Sequence, residues 1–145
     1  MLRDGAQVVF SDSVSAVTAR IDERNLRMCR FLNLCGSAVN FLDTEHLLNL
    51  RVLLLSYSGV KAFSTESLTN LEYLNMGSTG IDVLITAPLS KLEVLYARNA
   101  KLSSLDTAEL KALRILDVSK MQICSLQVED LLCLEELHIS STKIQ

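Results

Sequence analysis

One six-residue block recurs along this chain at a fixed spacing of 21 residues, and that spacing limits the fold more than any other feature. Leu50-Arg-Val-Leu-Leu-Leu55 aligns with Leu71-Glu-Tyr-Leu-Asn-Met76 and Leu92-Glu-Val-Leu-Tyr-Ala97. Leu113-Arg-Ile-Leu-Asp-Val118 and Leu134-Glu-Glu-Leu-His-Ile139 continue the series. One period earlier, Cys29-Arg-Phe-Leu-Asn-Leu34 keeps the frame with Cys in the first place. Further apolar positions follow in register. The eleventh holds Val39, Val60, Ile81, Leu102, Ile123 and Ile144; the fourteenth begins with Leu42 and Phe63; the nineteenth is Leu from Leu47 to Leu131. Repetition at this period means a stacked array, because no single unit can enclose a core.

Within each block the fourth and sixth residues are apolar and alternate with one facing the other way, which is strand periodicity. Stacked coils bury a continuous column of leucines. At roughly 1.5–3 kcal/mol per fully buried aliphatic side chain, burial offsets the ordering of a coil only when neighbours are present. Successive strands then lie ~4.8 Å apart in a parallel sheet. On the far side of each coil, Thr44, Thr65, Thr86 and Thr107 share one repeat position, with a Leu three residues later. Thr suits a helix N-cap and Pro88 a first helical turn, so a short helical or 3₁₀ turn is predicted there.

The L-x-x-L-x-L-x-x-N/C-x-L pattern resembles the leucine-rich repeat family across residues 26–145. The 21-residue period is similar to the short classes in bacterial internalins, phosphatase-regulating proteins and protozoan proteins described as cyclase regulators. The resemblance implies an α/β repeat solenoid: a right-handed horseshoe or arc with a parallel sheet on its concave face and 3₁₀ or helical turns and loops on its convex face. The whole chain, 1–145, then forms one array. An irregular N-terminal coil spans 1–28, repeats start near 29, 50, 71, 92, 113 and 134, and the last is truncated.

Two departures from the family pattern stand out. The ninth position, where the family favours Asn, reads Ser37, Ser58, Thr79, Ala100, Met121 and Thr142. Hydroxyls can substitute in four coils; at Ala100 and Met121 the turn must find water or neighbouring amides. At the N-terminus, strict extrapolation of the period would bury Ser11 and Ser13, so Val8 and Phe10 are expected in the strand instead, with a loop three residues longer before Ile21. The chain stops at Gln145 in mid-coil and lacks a polar capping unit there, so it reads as part of a longer array or a truncated gene product.

Twenty-eight leucines and 49% hydrophobic residues exclude disorder. A net charge of −3 argues against a nucleic-acid partner, which needs a clustered basic face. No signal peptide opens the chain, and its longest aliphatic run, Val52 to Leu55, is far from the ~20 residues of a membrane span. Cys29, Cys35, Cys124 and Cys133 lack metal-ligand spacing and are expected as free thiols of an intracellular, cytoplasmic protein.

No phosphate-cradling loop, zinc motif or hydrolase elbow is present, and neither a cofactor nor a metal is expected. Asp117 and His138 fall on adjacent strands, with Ser119 or Ser140 two residues along, about 6.8 Å away at strand rise. This resembles a catalytic triad in composition only, since an open sheet offers no oxyanion hole. A surface ion pair or partner contact is the stronger reading. His46 belongs to the polar turn and is expected to be solvated; Cys35 is expected to be an ordinary thiol on the strand face.

The outward strand face carries the functional signal. Its third-position column reads Phe31, Val52, Tyr73, Val94, Ile115 and Glu136; the fifth adds Leu54, Asn75, Tyr96, Asp117 and His138; the eighth adds Tyr57. An exposed apolar strip of this kind marks a contact site, and tyrosines are frequent anchors. Arg98, Asp117, Lys120, Glu136 and His138 make the face polar toward the C-terminal end. The resemblance implies a non-enzymatic module that binds a protein partner on this face. The alternative is a regulatory subunit or domain that steers an enzyme such as a phosphatase, adenylate cyclase or ubiquitin ligase.

Overall fold

The computed structural model describes residues 6–9 and 23–144. Seven strands form one parallel sheet in strict sequence order: β1 (Ala6–Val9), β2 (Cys29–Asn33), β3 (Val52–Leu54), β4 (Tyr73–Asn75), β5 (Val94–Tyr96), β6 (Ile115–Asp117) and β7 (Glu136–His138). A short helix, α1 (Glu23–Met28), precedes β2. From β2 to β7 every strand pairs with the next at an offset of one repeat, as in Leu53↔Leu74 and Leu95↔Leu116. The sequence period is therefore the sheet register. Between β1 and β2 the pairing is Val8↔Leu32, an offset of 24 residues instead of 21. This is the register of the longer first loop inferred from the sequence; Phe10 and Ile21 lie outside the described residues.

The core is a set of columns. Leu53, Leu74, Leu95 and Leu116 have no exposed surface, and neither do Leu55, Met76, Ala97 and Val118 of the sixth column. Leu47, Leu68, Leu89 and Leu110 close the coil from the other side. The expected inward column breaks at its end: Leu137 is 39% exposed. Its side chain has the same frame as Leu116, but among the described residues no coil lies over it.

On the far side the short helical or 3₁₀ turns expected from the sequence are single 3₁₀-type turns, each closed by one i→i+3 bond. Among the described residues α1 is the one helix, and it occupies the positions that Thr44–Asn49 occupy one repeat later. In the later coils two separate turns stand there, closed by Leu47 N–H to Thr44 O at 2.9 Å and Leu50 N–H to Leu47 O at 3.1 Å. The bonds are three residues apart, so no helix propagates. The threonines do not cap their own turns. Thr44 Oγ1 donates to Ser64 O (2.7 Å), Thr65 Oγ1 to Ile85 O (2.8 Å) and Thr107 Oγ1 to Gln127 O (2.6 Å), each across to the next coil. The preceding residue does the capping: Asp43 Oδ1 and Asp106 Oδ1 accept the N–H of Glu45 and Ala108 at 3.0 Å. A row of buried hydroxyls thus staples coil to coil, which local sequence rules do not anticipate.

The ninth-position turn also resolves differently. Main-chain bonds close it whatever the side chain: Ser58 N–H to Leu55 O, Ala100 N–H to Ala97 O and Met121 N–H to Val118 O, at 3.0, 2.9 and 3.2 Å. Ala100 and Met121 need neither water nor neighbouring amides. Of the hydroxyls, Thr79 and Thr142 bond carbonyls of their own coil, while buried Ser37 Oγ has no partner.

Candidate functional site: the concave strand face

Sheet register brings the expected face together. Phe31, Val52, Tyr73, Val94 and Ile115 stack in one column over five strands, ending at Glu136. All five apolar members are half-buried, so the strip is less open than the sequence suggested, because each side chain shields its neighbours. Leu54, Asn75, Tyr96 and Asp117 in the next column are half-buried as well. Tyr57, Arg98 and His138 are exposed, Tyr57 by 75%.

Tyr73 and Tyr96 meet diagonally across β4 and β5, with ring centroids 5.8 Å apart and planes inclined by 59°. That tilted arrangement suits aromatic quadrupoles. Burial, and then Tyr96 and Cys35 nearby, raise the Tyr73 phenol above its ordinary pKa, so it remains a neutral donor at physiological pH.

Asn75 and Asp117 have a second task. Asn75 Oδ1 accepts the Gly77 N–H at 3.1 Å and the Ser56 hydroxyl at 2.5 Å, and Asp117 Oδ1 accepts the Ser119 N–H at 2.8 Å. These bonds end the strands and fix the turn. Three residues beyond the fifth position, the chain turns left-handed in every coil: Gly36, Tyr57, Ser78, Asn99, Lys120 and Ser141 have φ between 55° and 68°. A bulky side chain is an uncommon occupant of that conformation.

The triad composition is not assembled. Asp117 and His138 are strand neighbours, yet His138 Nε2 lies 3.5 Å from Glu136 Oε2, and Asp117 is bonded to the Ser119 backbone. Ser119 is 1% exposed. His46 is half-buried, less open than its sequence context suggested. Among the described residues no cluster of three or more His, Cys, Asp or Glu could hold a metal ion. Cys29 is buried, with its Sγ–H donated to Phe31 O at 3.2 Å; Cys35, half-buried, and Cys124 and Cys133, exposed, are free thiols. No described helix is long and apolar enough to cross a membrane.

A second-position column was not anticipated as a unit. Arg51 pairs with Glu72 at 3.4 Å, and Arg114 reaches Glu93 at 3.8 Å and Glu135 with two bonds of 2.9 and 3.0 Å. The column Arg30, Arg51, Glu72, Glu93, Arg114 and Glu135, all charged and 21 residues apart, carried this signal.

Neither a protein-family model nor a curated protein sequence matches the chain. Solved structures do. The functional domain of InlJ from Listeria monocytogenes superposes with a TM-score of 0.80 at 16% identity, over 87% of this chain and 28% of that one. The internalin InlF from the same organism gives a TM-score of 0.79 at 28% identity, over 83% and 37%. The Leptospira interrogans leucine-rich repeat protein LIC12759 gives 0.70 at 23% identity, over 85% and 40%. The chain thus spans less than half the length of each. With the 21-residue register and the single parallel sheet, these likenesses show that the chain has a leucine-rich repeat solenoid fold similar to that of the internalins. TLR13 in complex with ssRNA13 shares the fold at a TM-score of 0.67 and 24% identity, so the fold by itself does not exclude a nucleic-acid partner.

Proposed function

We propose that the chain is a non-enzymatic protein-interaction module whose concave strand face receives a protein partner. The observation that carries this reading is the half-exposed apolar column from Phe31 to Ile115, with the Tyr73–Tyr96 pair at its centre and Tyr57 at its edge. These rings supply large contact area at low conformational cost, and their hydroxyls give direction to it. Val52, Leu54 and Val94 complete the apolar floor, while Asn75, Asp117, Arg98 and His138 border it. Interaction scaffolding is also the common use of the fold, an argument by analogy that supports the reading.

The test begins with a partner captured by the full-length protein. Tyr73→Ala and Tyr96→Ala each weaken its binding by about 1–2 kcal/mol and leave the melting temperature nearly unchanged. Glu45→Ala and Glu66→Ala, on the opposite side, leave affinity unchanged. Loss of binding with the glutamate variants but not the tyrosine variants would place the contact on the convex side.

A further inference from the structure

We infer that the edge of the sheet where the strands end, over the coils beginning at Leu92, Leu113 and Leu134, is a docking ridge for an acidic segment of the protein partner. The inference rests on the concave-face reading above and assigns the partner a charge pattern.

The seventh to eleventh positions of all six repeats, from 35–39 to 140–144, contain no Asp or Glu. Cations occur there only in the last three coils: Arg98, Lys101, Lys120 and Lys143, all exposed. Among the described residues none of these four has an ion-pair partner. The opposite edge of the same sheet behaves in the contrary way, since Arg51 and Arg114 are matched by Glu72, Glu93 and Glu135. A chain of net charge −3 thus keeps these positions of the six repeats free of carboxylates. The backbone fixes where the charges emerge. Lys120 sits at φ 60° and its N–H donates to Ser140 O, while the Lys101 and Lys143 N–H groups donate to Ile81 O and Ile123 O.

Coils advance by ~4.8 Å, so Lys101 and Lys143, two coils apart, stand about 10 Å from each other along the stack. An extended peptide covers that distance in about three residues. Carboxylates at every third residue of a segment in the polyproline II conformation, which repeats every three residues at ~3.1 Å rise, fall on one side and meet the ridge in step. A nucleic acid fits less well. Its bases would find no aromatic ring on the ridge on which to stack.

The probe is a fluorescein-labelled ten-residue oligoglutamate, measured by anisotropy against the full chain, with oligolysine and a twelve-nucleotide oligothymidylate as comparisons. The oligoglutamate binds, and binding falls by at least about fivefold between low and physiological salt, as exposed charges require. Lys101→Glu with Lys120→Glu lowers its affinity by at least about fivefold, and the neutral pair Lys101→Gln with Lys120→Gln lowers it less. Glu72→Gln with Glu93→Gln changes it by less than about twofold, as does Tyr73→Ala with Tyr96→Ala. Oligoglutamate binding that ignores the lysine variants, or that is absent, overturns the ridge. Oligothymidylate binding as tight as oligoglutamate assigns the ridge to nucleic acid and overturns the peptide reading. Should the tyrosine variants leave the captured partner's affinity intact while the lysine variants reduce oligoglutamate binding, the concave-face reading fails and the ridge stands.

Discussion

The coil that begins at Leu92 and the coil that begins at Leu134 share one sequence frame, Leu-Glu-Val-Leu-Tyr-Ala and Leu-Glu-Glu-Leu-His-Ile, but not one environment. Leu92, Leu95 and Ala97 have no exposed surface; Leu137 and Ile139 are exposed by 39% and 41%, and Leu134 is only half-buried. Composition does not explain the contrast, because Ile139 is larger and more apolar than Ala97. The neighbour explains it. In a linear array each coil is stabilised by its own turns and by the interfaces on its two sides, so an end coil keeps one interface where an interior coil has two.

Substitution at matched positions measures this difference directly. Leu95→Ala removes a side chain sealed on both sides and costs about 2–5 kcal/mol by transfer plus cavity terms. Leu137→Ala leaves no enclosed cavity and removes less buried area, so it costs about 1 kcal/mol or less. Denaturant unfolding of the two variants checks the contrast. Equal shifts of the midpoint would mean that the final coil is covered in solution by another part of the molecule or a second copy.

The turns offer a smaller test of the same idea. Tyr57 is left-handed in an interior coil, with its N–H donated to Gly77 O at 3.1 Å; Ser141 has the same conformation in the last coil, with no described coil beyond it to accept its N–H. Relief of the left-handed cost, about 1–2 kcal/mol, exceeds the entropy that a glycine adds to the unfolded chain, about 0.4–1 kcal/mol. Tyr57→Gly therefore raises stability by about 0.5–1 kcal/mol, and Ser141→Gly by less than half of that, because no described coil beyond it holds that turn in shape. Tyr57→Gly also lowers affinity for the partner, so the two readouts move in opposite directions.

These contrasts also mark what the sequence makes visible. The columns were legible because leucine at a fixed period has one physical meaning, and even the longer first loop could be read from Ser11 and Ser13 refusing core positions. The left-handed eighth column was not legible: Gly36 and Asn99 are usual occupants, but Tyr57 and Lys120 conceal it. The threonine staples were misread because a capping rule looks within one coil, whereas Thr44 Oγ1 finds Ser64 O in the next. Of the site, the apolar column was readable from strand alternation. Its degree of burial was not, since half-burial of Phe31 or Ile115 depends on how neighbouring side chains lean together. The Arg–Glu ladder was written in the second column, yet its meaning depends on stacking, which places residues 21 apart side by side.

The smallest effect concerns how the end coil is tied to the interior. Arg114 reaches back to Glu93 and forward to Glu135, and the bond to Glu135 is bidentate. That hydrogen bond, and the charge of the same guanidinium, hold the Glu135 carboxyl below its ordinary pKa. A depressed carboxylate contributes stability above its unfolded pKa and loses it as the pH falls through the folded one. Both side chains are more than half exposed, so solvent screens the pair and the effect on unfolding is slight. The titration itself is the sensitive readout. In an NMR pH series, Arg114→Gln moves the Glu135 midpoint upward toward that of an ordinary glutamate, and added salt moves it part of the way in the wild type. Arg51→Gln, four coils away, leaves Glu135 where it was. A Glu135 midpoint that ignores both Arg114→Gln and salt would show that this bridge does not hold the last coil to the stack.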